Sequence, residues 1–102
     1  MLTNKVRQIN NRKTVCVELE PELSACAETK ARQQYEQILS ALLDKGEEEG
    51  LGEKLEILKW FLESTDFSKL RDKYEKHLLE GRRVKFILYL AAGKPRYEME
   101  IM

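Results

Sequence analysis

The segment from Arg82 to Met102 limits what this chain can fold into more than any other stretch. Val84, Phe86, Leu88 and Leu90 alternate with Lys85, Ile87 and Tyr89, and Tyr97, Met99 and Ile101 alternate with Glu98 and Glu100. Period-two alternation puts successive side chains on opposite faces of a strand, so two strands are expected, one face apolar and the other polar. Ala92-Gly93-Lys94-Pro95 lies between them and reads as a four-residue hairpin loop, with Gly93 free to take a positive φ. Facing like with like pairs Leu90 with Tyr97, Leu88 with Met99 and Phe86 with Ile101. A lone hairpin is marginal in water, so the rest of the chain must cover its apolar face.

Upstream, Val15, Val17 and Leu19 alternate with Cys16, Glu18 and Glu20, which predicts a further strand over Thr14 to Glu20. Pro21 is expected to open a helix running to about Lys45, with Gly46 as its stop. Ala27, Ala31, Tyr35, Ile38, Leu39 and Leu42 fall on one face of that helix. A second helix is expected from about Glu53 to Glu63. A third runs from about Phe67 to Glu80, capped by Thr65 or Asp66, ended by Gly81, and apolar along Phe67, Leu70, Tyr74 and Leu78. The order is β-α-α-α-β-β. It predicts an α+β two-layer sandwich: a three-stranded, mainly antiparallel sheet with a C-terminal β-hairpin and three helices on one face. At 102 residues the chain reads as one small domain, with 1–13 a loose basic arm or an extra edge strand.

Charge is balanced overall but segregated along the chain. Eighteen basic and eighteen acidic residues cancel, so no net field draws in nucleic acid or anionic lipid. The two ends are basic and the middle acidic, which reads as basic strands packing near an acidic helix and loop. Met1 to Lys13 lacks the apolar core of a signal peptide, and the run from Phe86 to Ala92 is too short to span a bilayer. The cytoplasm is the expected compartment, with Cys16 and Cys26 unpaired and projecting from different sides of the domain.

No motif names a reaction. Cys16, Cys26 and the single histidine, His77, are expected to diverge, Cys26 lying on the polar side of the first helix with Lys30, Gln33 and Gln37. Two cysteines nine residues apart and one distant histidine do not make a zinc site. Glu47-Glu48-Glu49 lacks the ligand order of a calcium loop and reads as a solvated acidic turn. Gly50-Leu51-Gly52 follows a helix and three glutamates, so it is no phosphate cradle. No cofactor is expected. Arg82, Arg83, Lys85, Lys94 and Arg96 cluster around the hairpin, with Tyr89 on its outward face, but Glu18, Glu98 and Glu100 share that face and would repel phosphate. Nucleic-acid binding is therefore expected to be weak or absent.

Two features exceed what a plain core needs. Leu51, Leu55, Ile57, Leu58, Phe61 and Leu62 cover a wide arc of the second helix, and Trp60 extends it, so burial from two sides is expected, by neighbouring elements or by another subunit. Ile87 and Tyr89 add an apolar pair on the outer sheet face. The expected role is a non-catalytic protein-interaction or self-association module, a homo-oligomer using Ile57, Trp60, Phe61, Ile87 and Tyr89. The alternatives are a nucleic-acid-binding or regulatory domain using the basic hairpin, and a small-molecule-binding domain or enzyme with a pocket between sheet and helices.

Overall fold

The computed structural model describes residues 15–48 and 50–102. The segment 1–13, expected as an arm or edge strand, lies outside the described residues. Strand β1 (Cys16–Leu19) leads through helices α1 (Ala27–Lys45), α2 (Leu51–Ser64) and α3 (Phe67–Leu79) to strands β2 (Val84–Ala91) and β3 (Lys94–Ile101). The sheet order is β1-β2-β3, and both pairings are antiparallel. This is the expected α+β order.

Sheet polarity follows from the alternation. Val17, Leu19, Val84, Phe86 and Leu88 are buried beneath the helices, while Cys16 and Glu18 are exposed on the opposite face and Lys85, Ile87 and Tyr89 are half-buried there. Because β2 is central, its inner side chains are screened on both flanks, and Val84, Phe86 and Leu88 lose all contact with solvent.

The hairpin register differs from the sequence expectation by one full side-chain repeat. Leu88 faces Tyr97, Phe86 faces Met99 and Val84 faces Ile101, so only Ala92 and Gly93 remain in the turn. The turn decides this. Both residues have positive φ, 53° at Ala92 and 78° at Gly93, the signature of the two-residue turn whose twist matches the flanking strands. Shifting a register by two keeps every side chain on its own face, so the apolar pattern could not choose between the two pairings.

Helix α1 starts later than Pro21. Glu22 and Ala25 exchange backbone hydrogen bonds of 2.8 and 3.1 Å, folding Leu23-Ser24 into a tight reversal before the helix begins at Ala27. The N-cap residue Cys26 makes no side-chain cap to the backbone; instead the Ala27 N–H donates to the buried Tyr74 hydroxyl of α3 at 3.0 Å. Ala27 and Ala31 let α1 approach closely, and Tyr35 and Ile38 pack farther along.

Helix α2 is the centre of the helical layer. It lies along α1 and also touches all three strands. Ile57, Leu58 and Phe61 have no exposed surface, each burial contributing roughly 1.5–3 kcal/mol. The centre of the wide apolar arc is thus filled from within one chain, while Leu51, Leu55, Trp60 and Leu62 stay half-buried. The acidic turn before α2 is structural too: the Glu47 carboxylate accepts the Gly52 N–H at 3.1 Å, in the first turn of the helix. Helix α3 is capped by Asp66, whose carboxylate accepts the Lys69 N–H at 3.3 Å.

A two-pronged ion pair ties the end of β1 to the start of β2, with Arg83 donating to Glu20 at 2.7 and 2.9 Å. Those hydrogen bonds hold the Glu20 carboxyl below its ordinary value of 4.5. A depressed carboxyl stabilises the fold above its unfolded pKa and ceases to do so as pH falls through the folded value.

Three outcomes are expected. Ala92→Asn, which tolerates positive φ, should stabilise the protein by about 1 kcal/mol and raise the melting temperature by roughly 4–8 °C. Tyr74→Phe leaves the Ala27 N–H without its acceptor and should cost about 1–3 kcal/mol in urea unfolding. Glu20→Gln should lower the melting temperature at neutral pH, with the difference from the wild type vanishing in strong acid.

Candidate functional site

The apolar core does not close at β3. Phe61 is its hub, with ring centroids 5.4 Å from Phe67, 5.5 Å from Tyr97 and 6.2 Å from Phe86. From there the aromatic chain runs outward. Tyr97 lies 6.3 Å from Trp60, at the margin where α2 meets the last strand. Trp60 is half-buried, Tyr97 is 36% exposed and Ile101 is 37% exposed, so a contiguous apolar rim leads from the core to solvent. The inward face of β3 is only partly roofed: α2 reaches it, yet Tyr97 and Ile101 remain partly exposed.

Beside this rim is an open pocket of about 210 Å³, formed by Trp60, Thr65, Leu70 and Tyr97 with Lys69 and Lys73. Trp60 and Tyr97 give it an aromatic wall, and the lysines belong to the exposed side of α3.

The five residues expected at an interface separate into three environments. Ile57 and Phe61 are wholly inside the chain's own core, which removes them from any surface. Trp60 does reach the surface, but it packs on Phe61 and Tyr97 and has the intrachain layer that the helical wheel could not supply. Ile87 and Tyr89 occupy the outer sheet face, as the alternation requires. Ile87 is flanked by Glu18 and Glu98, and Tyr89 by Cys16 and Arg96.

That outer face is a charged lattice with two apolar residues set into it. Lys85 approaches Glu18 at 3.4 Å, and the Tyr89 hydroxyl donates to Glu98 at 3.0 Å, which raises the phenol's pKa. The corrected register moves Arg96, not Glu98, directly opposite Tyr89. Tyr97, like Ile101, is a surface residue that sequence reasoning assigned to the core. Its one sequence signal is the charge order around it, Lys94 and Arg96 before, Glu98 and Glu100 after.

The nucleophiles do not assemble. Cys16 is exposed on the outer sheet face and is free. Cys26 is free as well, and lies where α1 begins, near Tyr74 and Leu78 of α3, instead of on the polar side of the helix. Its thiol is 3.3 Å from the Thr29 hydroxyl, and that hydrogen bond is the foremost cause that lowers its pKa. The His77 Nδ1 lies 3.1 Å from the Arg82 guanidinium. Among the described residues no three of His, Cys, Asp and Glu converge as a metal site. Nor is any described helix long and apolar enough to cross a membrane.

Comparison with known proteins adds kinship without chemistry. An uncharacterised protein of Archaeoglobus fulgidus is 45% identical over 49 residues, covering 45% of this chain and 58% of that protein. The match thus spans little more than half of the relative's length. No solved structure matches the chain. A protein-family model does match residues 14–99, nearly all of the described fold, and the chain therefore belongs to that family, one whose function is uncharacterised.

Proposed function

We propose that the protein is a non-catalytic interaction module that self-associates, with its contact surface on the Trp60–Tyr97 side of the domain. The observation that carries this reading is the open margin of the core, where the aromatic cluster continues from fully buried Phe61 to partly exposed Tyr97. Apolar surface continuous with a core is stabilised when a second surface covers it, and aromatic residues at such margins dominate binding energy. The outer sheet face supports the reading less, because Glu18, Lys85, Arg96 and Glu98 surround its two apolar residues. The free, exposed Cys16 thiol accords with a reducing cytoplasm as the site of action.

The expected assembly is a homodimer, the commonest closed arrangement of soluble chains. Sedimentation over a range of concentrations tests it. Trp60→Ala should weaken the dimer at least tenfold, about 1.4 kcal/mol or more. A wild-type chain that stays monomeric at high micromolar concentration defeats the self-association reading. A dimer indifferent to Trp60→Ala moves the contact to another surface.

A further inference from the structure

We propose that the second copy docks on the free edge of β3, the two β3 strands pairing antiparallel about a twofold axis at Tyr97 to form one continuous sheet. This rests on the self-association reading and specifies its geometry.

The backbone supplies the first argument. Among the described residues β3 is an edge strand, eight residues long, hydrogen-bonded to β2 on one side only. Arg83 and Met102 exchange both their backbone hydrogen bonds, at 2.8 and 3.1 Å. In an antiparallel ladder bonded and non-bonded pairs alternate, so Glu100, Glu98, Arg96 and Lys94 bond to β2. The backbone groups of Ile101, Met99, Tyr97 and Pro95 therefore point away from β2, toward the open edge. Pro95 fits this phase, since it has no N–H to give the ladder.

The side chains select the partner. On the outer face β3 carries Lys94, Arg96, Glu98 and Glu100, and none of the four makes an ion pair among the described residues. Their signs invert about Tyr97. With the axis there, Arg96 stands opposite the partner's Glu98 and Lys94 opposite the partner's Glu100, and the same two contacts recur by symmetry. These are non-bonded pairs, in which facing side chains approach most closely. Moving the axis to Glu98 opposes the two Glu98 carboxylates, and moving it to Arg96 opposes the two guanidinia. A shift by an odd number of residues would set inner faces against outer ones. One register satisfies every charge.

That register also continues the core. The two Tyr97 side chains meet on the inner face, where each is partly exposed and already packed on Phe61 and Trp60. Charged residues and a proline are common devices for keeping an edge strand solitary. Pro95 removes one donor per copy here. It leaves the reciprocal Tyr97 bonds, and the Met99 N–H can still donate to the partner's Pro95 carbonyl. Charges placed only to repel would share one sign or vary without order, whereas these form a self-complementary set.

Two paired-charge variants provide the test. Lys94→Glu with Arg96→Glu makes the edge wholly acidic, and Glu98→Lys with Glu100→Lys makes it wholly basic. All four side chains are exposed, so both variants should keep the fold. Each variant alone should dimerise at least tenfold more weakly than the wild type in sedimentation, and an equimolar mixture should recover a heterodimer. In the unmodified protein, amide hydrogen exchange at Tyr97 and Met99 should slow as concentration rises through the dimer dissociation constant. Exchange at those amides that is independent of concentration in a dimeric wild type, or variants that each dimerise normally, would overturn the edge pairing and leave self-association standing. A wild type that remains monomeric overturns both.

Discussion

The structure depends on the burial of Phe61. Its ring packs on residues of α3, β2 and β3, a reach among the aromatics that Phe86 matches. A three-stranded sheet cannot bury its own inner face, and α1 offers it little more than alanine and the occasional larger side chain. The volume between the layers must come from α2, which presents Ile57, Leu58 and Phe61 without any exposed surface. Removing a ring of that size from a close-packed interior commonly costs 3–5 kcal/mol, roughly a third or more of a small domain's whole stability. The order of elements serves this placement, since α1 lies along α2 and also meets α3.

The same packing creates the asymmetry from which function is inferred. Helices that centre on β2 leave the margin of β3 incompletely covered, and the aromatic cluster spills toward solvent there. The outer face of the sheet is solvated in a different manner, by charged side chains of which Lys85 pairs with Glu18 while those of β3 make no ion pair among the described residues. Apolar surplus and ordered charge thus meet on one strand. The thiols and the imidazole are dispersed by comparison, with Cys26 and His77 in separate local contacts and Cys16 exposed on the outer sheet face.

Much of the fold could be read from the residues, and what could not has identifiable causes. Alternation in Val84–Leu90 and Tyr97–Ile101 located both strands and their faces, because side-chain direction depends only on parity. Register escaped, since a two-residue shift preserves parity and the outcome turned on Ala92 taking a conformation that alanine disfavours. Helix periodicity located α2 and α3 within a residue or two. The start of α1 was misplaced because Pro21 tolerates both a first helical turn and the extended connection it occupies. Of the interface candidates, the wheel marked Ile57 and Phe61 correctly as apolar but could not say which neighbour covers them. Whether a wide stripe meets its own chain or another is a tertiary fact, absent from any local window.

The phenol of Tyr74 has a consequence beyond its one hydrogen bond. Helices usually carry the means of their own beginning in an adjacent Ser, Thr, Asp or Asn, and can start to form before anything docks against them. In this chain the first N–H of α1 is received by a residue 47 positions later, so part of the helix's beginning is written far from it in sequence. Its first donor is satisfied only while α3 is in place. Opening of α3 therefore strips the first N–H of α1 of its acceptor, and a fragment ending before Tyr74 lacks that acceptor altogether.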